Sequence, residues 1–427
     1  MAADTIYALS SGSPPAGIAV VRISGPGADA ALMALAGRLP EPRRAGVAAL
    51  RHPLSGELLD RALVLRLPGP GSATGEDVAE LHLHGGRSVV AAVLGALAAV
   101  PGLRQAEPGE FTRRAFEIGR IDLAEAEGLA DLLAAETEAQ RRAALQLAGG
   151  ALSREVERWQ AELLGLAAEL EAALDFADEG DVGADLPAGW RERLARLCGE
   201  LKAALARPPA ERLRDGVRVV LAGPPNAGKS SLFNALAGRE AAIISPLPGT
   251  TRDLIEAPVA IAGMPFLLVD TAGLRESGDA IEAIGVDRAR SSLAAADIIL
   301  WLGNPGAAPD RDRTLVVGAK ADLGPPPPGT DLPVSAITGE GIERLVDCLR
   351  ERAKSLLPGE GEMAINARHR GILRDVLASL GEAGDTDDLL IAAESVRLGR
   401  LALDRLTGRA GVEDMLDALF GRFCIGK

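Results

Sequence analysis

Gly223-Pro224-Pro225-Asn226-Ala227-Gly228-Lys229-Ser230 lies between the apolar run Val217 to Ala222 and the helix-compatible stretch Ser231-Leu232-Phe233-Asn234-Ala235-Leu236. The octet fits G-x-x-x-x-G-K-[ST], and its flanks supply the buried strand and amphipathic helix that the pattern requires. A chance match in a chain with 50 glycines is the bland alternative, and the flanks argue against it. Glycines let backbone N–H groups close around phosphate oxygens, and the new helix turns its positive end toward them. Lys229 is then expected to reach the β and γ phosphates, and Ser230 to ligate Mg²⁺. The rest of the chain must fit around a parallel sheet that carries this loop.

Two further phosphate-side elements follow in order. Pro248-Gly249-Thr250-Thr251-Arg252-Asp253 is a turn whose threonines can reach a metal. The apolar run Pro265 to Val269 ends in Asp270-Thr271-Ala272-Gly273, a D-x-x-G in which a strand-end carboxylate holds Mg²⁺ through water and a glycine N–H meets the γ phosphate. Later, Thr314-Leu315-Val316-Val317 leads into Gly318-Ala319-Lys320-Ala321-Asp322, and Leu332-Pro333-Val334 leads into Ser335-Ala336. This order resembles a Ras-like GTPase domain, in which an N-K-x-D loop and an S-A loop grip guanine. Ala319 stands where that loop has Asn. Asp322 still complements the guanine N1–H and exocyclic amine, and the Ala336 N–H still suits the carbonyl. Adenine offers neither complement, so guanine is expected, bound more weakly than by a full loop.

The 427 residues allow two to four domains with real cores. Aromatics make up only 3% of the chain, so helix packing must lean on Leu and Ala. No apolar stretch reaches the 18 or so residues needed to span a bilayer, and the N-terminus lacks a basic region followed by an apolar one. A soluble, cytoplasmic protein without a membrane partner is therefore expected. Cys198, Cys348 and Cys424 are too few and too scattered for a disulfide framework or a zinc site. The net charge of −14 repels nucleic acid at long range, so an RNA partner must be brought in by local basic patches or by a second protein.

Residues 1–118 read as an α/β or β-rich domain, with strands at Asp4 to Leu9, Ile18 to Ile23, Asp60 to Leu67 and Val78 to His84, and helices at 27–37 and 88–99. Alternation in Val78 to His84 sends Ala79, Leu81 and Leu83 to one face and Glu80, His82 and His84 to the other. That polar face is either solvated or, with a third ligand, a metal site. The segment 108–116, with Arg113, Arg114 and then Arg120, is either a solvated helix face or an anion or RNA site. From Ile121 the composition turns to Ala, Leu and Glu at helical spacing. Leu123, Ala126, Leu129, Ala130, Leu132 and Leu133 mark one face, a longer run covers Ala151 to Leu174, and another helix covers 189–206. The helical pattern resumes at Ile365 to Leu380 and Asp387 to Leu406. The expected organisation is therefore 1–118, helical 119–213, a GTPase at 214–356, and helical 357–427, with the nucleotide unit inserted into one helical domain.

The motifs together resemble the tRNA modification GTPase family called MnmE or TrmE, from the first strand to the last residue. They are Val21-Arg22-Ile23-Ser24-Gly25, Thr74-Gly75-Glu76-Asp77-Val78 with Glu80 and His84-Gly85-Gly86, Pro108-Gly109-Glu110-Phe111 with Arg114-Ala115-Phe116, and Asp122-Leu123-Ala124-Glu125-Ala126-Glu127. The phosphate loop, Gly249-Thr250-Thr251-Arg252-Asp253, Asp270-Thr271-Ala272-Gly273-Leu274-Arg275 and the terminal Phe423-Cys424-Ile425-Gly426-Lys427 complete the set.

The resemblance implies a multidomain α/β protein. It would have an N-terminal domain that binds formyl- or methylene-tetrahydrofolate and forms a homodimer, an all-α helical domain, and an inserted Ras-like P-loop GTPase. With an FAD-containing partner, such proteins install an aminomethyl-type (carboxymethylaminomethyl) group on carbon 5 of the wobble uridine of certain tRNAs. The folate supplies the one-carbon unit, and GTP hydrolysis drives conformational change. Arg22, Glu80, Arg120 and Lys427 match folate-contacting positions, Arg120 standing where the family commonly has Lys. Such charges suit the pterin's donor edge and the anionic tail.

In the GTPase, the resemblance assigns nucleotide contacts to Asn226, Ala227, Gly228, Lys229, Ser230, Ser231, Ser245, Thr250, Thr251, Asp270, Thr271, Ala272, Gly273, Lys320, Asp322, Ser335 and Ala336. It assigns Mg²⁺ to Ser230 and Thr251, K⁺ to Asn226, Ser245, Leu247 and Thr250, and water orientation to Glu282. From its sequence context alone, Glu282 is an acid at a helix start that complements the helix dipole. A K⁺ ion held there can stand in for an arginine finger, whose contribution is on the order of 10³–10⁵ in rate. Cys424 is a catalytic thiol, a lining of the substrate site or a packing residue. Departures from the family concentrate between Leu300 and Ser335, a short, Pro-rich stretch containing Ala319. The alternative function is a nucleotide-gated assembly switch without tRNA chemistry of its own.

Overall fold

The computed structural model describes residues 4–176, 186–239, 255–271, 290–359, 362–409, 413–421 and 423–426. Two units emerge, one formed by 1–130 with 407–427 and the other by 131–406.

In the first unit, six strands order as β3-β4-β5-β2-β1-β6. They are β1 (Thr5–Leu9), β2 (Ile18–Ser24), β3 (Gly46–Arg51), β4 (Leu58–Leu67), β5 (Val78–His84) and β6 (Leu103–Gln105). All neighbours pair antiparallel except β1 with β6. The period-two pattern in β5 works as expected: Ala79, Leu81 and Leu83 are buried in a core shared with Val21, Ile23 and Val64. Helices α1 (Ala28–Ala36) and α2 (Arg87–Ala98) add Leu32, Leu35, Val93 and Leu97 to that core. Each such buried side chain contributes about 1.5–3 kcal/mol.

Phe111, from α3 (Glu110–Glu117), clusters instead with Ile6, Ala8 and Ala106. The C-terminal helix α13 (Glu413–Phe420) packs on α3 through Phe116 and Phe420, whose ring centroids are 6.2 Å apart. The chain then bridges Pro108 to Ile425. Gly426 sits so close to β1 that an added Cβ would lie 2.0 Å from the Leu9 carbonyl oxygen, so only glycine allows this seat.

The second unit holds the other sheet, ordered β12-β11-β10-β7-β9-β8. Its strands are β7 (Val217–Ala222), β8 (Ile255–Ile261), β9 (Met264–Asp270), β10 (Ile298–Trp301), β11 (Thr314–Ala319) and β12 (Leu332–Val334). Only the β8–β9 hairpin is antiparallel. β7 lies between β9 and β10 and is buried at five of its six residues, as a parallel strand covered on both faces should be. Helices α9 (Lys229–Arg239) and α10 (Ile342–Leu356) contribute Leu232, Leu236, Leu345 and Leu349 to its core.

The remaining helices are α4 (Leu123–Ala134), α5 (Glu138–Ala148), α6 (Ala151–Phe176), α7 (Trp190–Ala206), α8 (Ala210–Asp215), α11 (Ala367–Asp385) and α12 (Leu389–Thr407). Two tryptophans anchor α6 to α7: buried Trp190 donates from Nε1 to the Leu166 carbonyl at 3.0 Å, and Trp159 to Glu200 at 3.3 Å. The expected apolar face of α4 holds at Leu123 and Ala126, which are buried, but Leu133 at its end is 48% exposed. Strands β3, β6, β8 and β10 and helices α8 and α10 have no counterpart in the expectations from sequence.

Candidate functional site

The order of the second sheet reverses at β7, so the crevice beyond its carboxyl end is where an open α/β sheet binds ligand. The 223–230 loop occupies that crevice. Gly228 has φ +99°, and an added Cβ there would touch Ala319 Cβ at 3.4 Å, so the loop lies directly against the end of β11. Asn226 adopts φ +60°, a left-handed conformation in which asparagine is among the better-tolerated side chains.

Lys229 is buried, and its Nζ donates to the Gly223 and Pro224 carbonyls at 3.1 and 2.9 Å, which holds the ammonium inside its own loop. Ser230 Oγ donates to Asp270 Oδ2 at 2.7 Å, and Asp270 is 1% exposed at the end of β9. A hydroxyl and a buried carboxylate from two elements thus meet beside the phosphate loop. Hard oxygen donors in this pairing fit Mg²⁺. Thr271 Oγ1 donates to the Leu221 carbonyl at 2.8 Å and ties the end of β9 to β7.

The base-side loops assemble next to it. Ser335 is fully buried and donates through Oγ to Asp322 Oδ1 at 2.5 Å, which fixes the exposed carboxylate at the mouth of the site. Lys320, with φ +61°, donates from Nζ to the Asn226 carbonyl at 2.7 Å and so lies across the phosphate loop. Ala319 offers no polar atom where the loop pattern has Asn, and its methyl packs toward Gly228. Ala227 and Ala336 are half-buried beside these groups, and Ser231 is exposed on α9. Ser245, Leu247, Thr250, Thr251, Ala272, Gly273 and Glu282 lie outside the described residues, as does Lys427.

In the other unit, Arg22 and Glu80 are direct cross-strand neighbours in the β2–β5 register. Arg22 donates from Nε and Nη2 to Glu80 Oε1, both at 3.0 Å, and its guanidinium carbon lies 5.8 Å from the centre of the Phe111 ring. The polar face of β5 is therefore more than a solvated one: Glu80 is engaged by Arg22 and by His82 Nε2 at 3.3 Å. His84 turns to another carboxylate, Asp60, at 2.7 Å, and no cluster of metal ligands occurs among the described residues.

The positive segment at 108–120 splits. Arg114 is held by Asp4, Glu76 and Glu110, and Arg104 joins the same carboxylates at Asp4 and Glu110. Burial works against ionisation of Glu110, but hydrogen bonds from Arg104, the Glu107 N–H and Arg114 hold its carboxyl below the usual range. Sequence spacing does not reveal this network, because its acids come from the residue before β1, the 72–77 loop and α3. Arg120 stays exposed on the turn after α3. Cys424 is also exposed, carried beside Leu9 and Pro108 by its neighbours Ile425 and Gly426.

Residues 5–120 match the family profile described as GTP-binding protein TrmE N-terminus, and 123–424 match the MnmE helical domain. Proteins named tRNA modification GTPase MnmE are similar over the whole chain. That of Rhizorhabdus wittichii is 64% identical, covering 100% of this chain and 97% of its own length. Those of Novosphingobium aromaticivorans and Erythrobacter litoralis are 58% and 57% identical, each covering 99% of this chain and 100% of their own length. Among solved structures, the G domain of the T. maritima FeoB iron transporter is 26% identical over 32% of this chain and 98% of its own, with a TM-score of 0.24. A single-substitution variant of Aquifex aeolicus Era bound to GDP·AlF4⁻ is 25% identical over 39% of this chain and 65% of its own, with a TM-score of 0.25. At these TM-scores neither likeness adds to the fold assignment, which rests on the strand order.

Proposed function

The chain belongs to the MnmE family of tRNA modification GTPases, and from that premise we propose that it hydrolyses GTP as one half of a tRNA-modifying pair. The observation that carries this reading is the Ser230–Asp270 contact at 2.7 Å, beside a buried Lys229 and an Asp322 oriented by Ser335. Lys229 would hold the transferring phosphoryl oxygens, and loop N–H groups the others. Mg²⁺, ligated by Ser230 and Thr251 and held through water by Asp270, would neutralise developing charge. Asp322 and Ala336 would select guanine. K⁺ at Asn226, Ser245, Leu247 and Thr250 would stimulate turnover, with Glu282 orienting the attacking water.

The finer assignment follows the family. An FAD-containing protein would be the partner, the product a tRNA carrying an aminomethyl-type group on carbon 5 of the wobble uridine, and the chain would work as a homodimer. A tetrahydrofolate one-carbon carrier would bind near Arg22, Glu80, Arg120 and Lys427. The Arg22–Glu80 pair beside Phe111 supports that reading, since it offers a carboxylate, a cation and an aromatic ring to a pterin. The seating of 425–426 against β1 and Pro108 supports a place for Cys424 near the same domain.

We assign 1–118 to the folate domain, 214–356 to the GTPase, and 119–213 with 357–427 to the helical domain. Pro209 bridges Ile365, and Ala210 N donates to the Ile365 carbonyl at 3.1 Å, so the chain leaves and rejoins the helices at one place, as an insertion requires.

The test is reconstitution of the full chain with the FAD-containing partner, tRNA, GTP, a methylene-tetrahydrofolate donor and ammonium or glycine as the nitrogen source, followed by mass spectrometry of the tRNA nucleosides. A GTP-dependent C5-modified uridine, lost in Lys229→Ala, supports the proposal. Guanine nucleotide binding with no modified uridine would favour the assembly-switch alternative.

A further inference from the structure

Helix α5 ends well before β7 begins in sequence, with α6, α7 and α8 between them, yet it is bonded at two points to the segments that flank the GTPase sheet, the last turn of α8 and the β8–β9 turn. Gln140 closes the capping box of α5: its Oε1 accepts the Glu136 and Thr137 N–H groups, each at 2.9 Å, while Thr137 Oγ1 accepts the Gln140 N–H. The other end of the same amide faces the nucleotide module. Gln140 Nε2 donates to the carbonyls of Leu213 at 3.1 Å and Arg214 at 3.3 Å, in the last turn of α8, which leads through Gly216 into β7.

One position earlier, the Ala139 N–H is among the donors that a helix start leaves without an intrahelical partner. It donates to the Gly263 carbonyl at 3.1 Å. Gly263 and Ala262, both at positive φ, form the two-residue turn of the β8–β9 hairpin. Ala139 and Ala143 also pack on the core of the GTPase sheet.

Both contacts fall at the same end of the sheet. β7 and β9 run parallel from α5 and end, about 20 Å away, in the phosphate loop and in Asp270. A small axial or register shift of β9 at the nucleotide would therefore move Gly263 against α5. Beside the contact lies a cavity of ≈120 Å³ walled by Gln140, Ala143, Leu147, Leu213, Arg214 and Asn366, which gives the Leu213 and Arg214 carbonyls room to shift.

We propose that α5 reads the nucleotide state of the GTPase through these two contacts, with Gln140 as the positioning residue that joins the helix cap to the end of α8 ahead of β7. The proposal rests on the GTP-binding reading above. Gln140 touches no nucleotide, and its effect passes through the strand bases.

Gln140→Glu separates the two jobs of the side chain. A glutamate at this position still closes a capping box, but it has no N–H to give Leu213 and Arg214. Hydrogen exchange of residues 136–148 would be followed in the full chain with GDP and with a non-hydrolysable GTP analogue, and fluorescent GDP would report binding separately. In the unaltered chain, exchange in this segment is expected to differ at least threefold between the two nucleotides. In Gln140→Glu the difference collapses, while GDP affinity stays within about twofold and the melting transition is retained. Equal exchange in both nucleotide states of the unaltered chain, with GDP binding saturated, would overturn the relay and leave the GTPase reading standing. A variant that still responds like the unaltered chain would also overturn it. Absence of GDP binding would overturn both.

Discussion

Ala319 decides more about this site than its size suggests. It ends β11 with a methyl where the guanine loop pattern has an amide, and it faces Gly228 of the phosphate loop. Restoring the amide adds one donor and one acceptor at the seam between phosphate loop and base loop. Ala319→Asn should therefore tighten GDP about 2- to 10-fold, in line with a net hydrogen-bond contribution of about 0.5–1.5 kcal/mol. Equilibrium titration with fluorescent GDP measures this, and unchanged affinity would mean that Lys320, bonded to the Asn226 carbonyl, already closes the seam. Ser230→Ala removes the hydroxyl that meets Asp270. It should lower Mg²⁺-dependent GTP turnover at least 100-fold with little change in the melting transition, because Ser230 is exposed. A large loss of stability instead would mark the Ser230–Asp270 bond as structural.

At the scale of elements, the strongest sequence signals gave the most accurate readings. The phosphate loop, the β5 alternation and the long Leu/Ala helices all lie where residue spacing placed them, since each rests on a local period. What escaped was what local periods do not carry. β6 has three residues and pairs with β1 across nearly 100 positions. β10 is only four residues long. The Arg104–Asp4–Arg114–Glu110 network could not be read from spacing, because its members meet only when β1, β6 and α3 come together.

One element carries a pH signature. The Glu138 carboxyl, in the first turn of α5, is drawn down to about 2 by hydrogen bonds from Arg141 and then Arg142. A folded-state value below the ordinary 4.5 means that the stabilisation is complete above 4.5 and is lost as pH falls toward 2. Because the carboxylate is solvent-exposed, the effect should be local: the first turn of α5 frays in acid before the helix unfolds. A site-resolved carboxyl titration should show the depressed midpoint, and Arg141→Ala should move it up toward 4.5. A midpoint already near the ordinary glutamate value in the unaltered chain would show that the ion pairs do not persist in solution.

For the whole molecule, the bridge between Pro209 and Ile365 has a consequence that can be built and measured. Because the chain departs and returns at adjacent residues, a short Gly/Ser linker in place of 211–363 should leave the two helical segments able to pack through α7 and α11. Helical circular dichroism and a cooperative melt are expected of that deletion. α5 should be its weakest part, since Ala139 and Ala143 lose the sheet they pack on. The proposed insertion rests, in the sequence, on helical pattern on both sides of a complete nucleotide unit. The double attachment of α5 to that unit was not legible there, because a helix's own sequence does not show which donors at its first turn find partners elsewhere.

Whether the chain is a K⁺-stimulated GTPase is decided by steady-state hydrolysis of GTP and ATP side by side, with the purified full chain in KCl and in NaCl at matched ionic strength. Turnover of GTP well above that of ATP, rising in K⁺ and abolished in Lys229→Ala, is expected. Equal use of ATP, or GTP turnover indifferent to the cation and to Lys229, would contradict it.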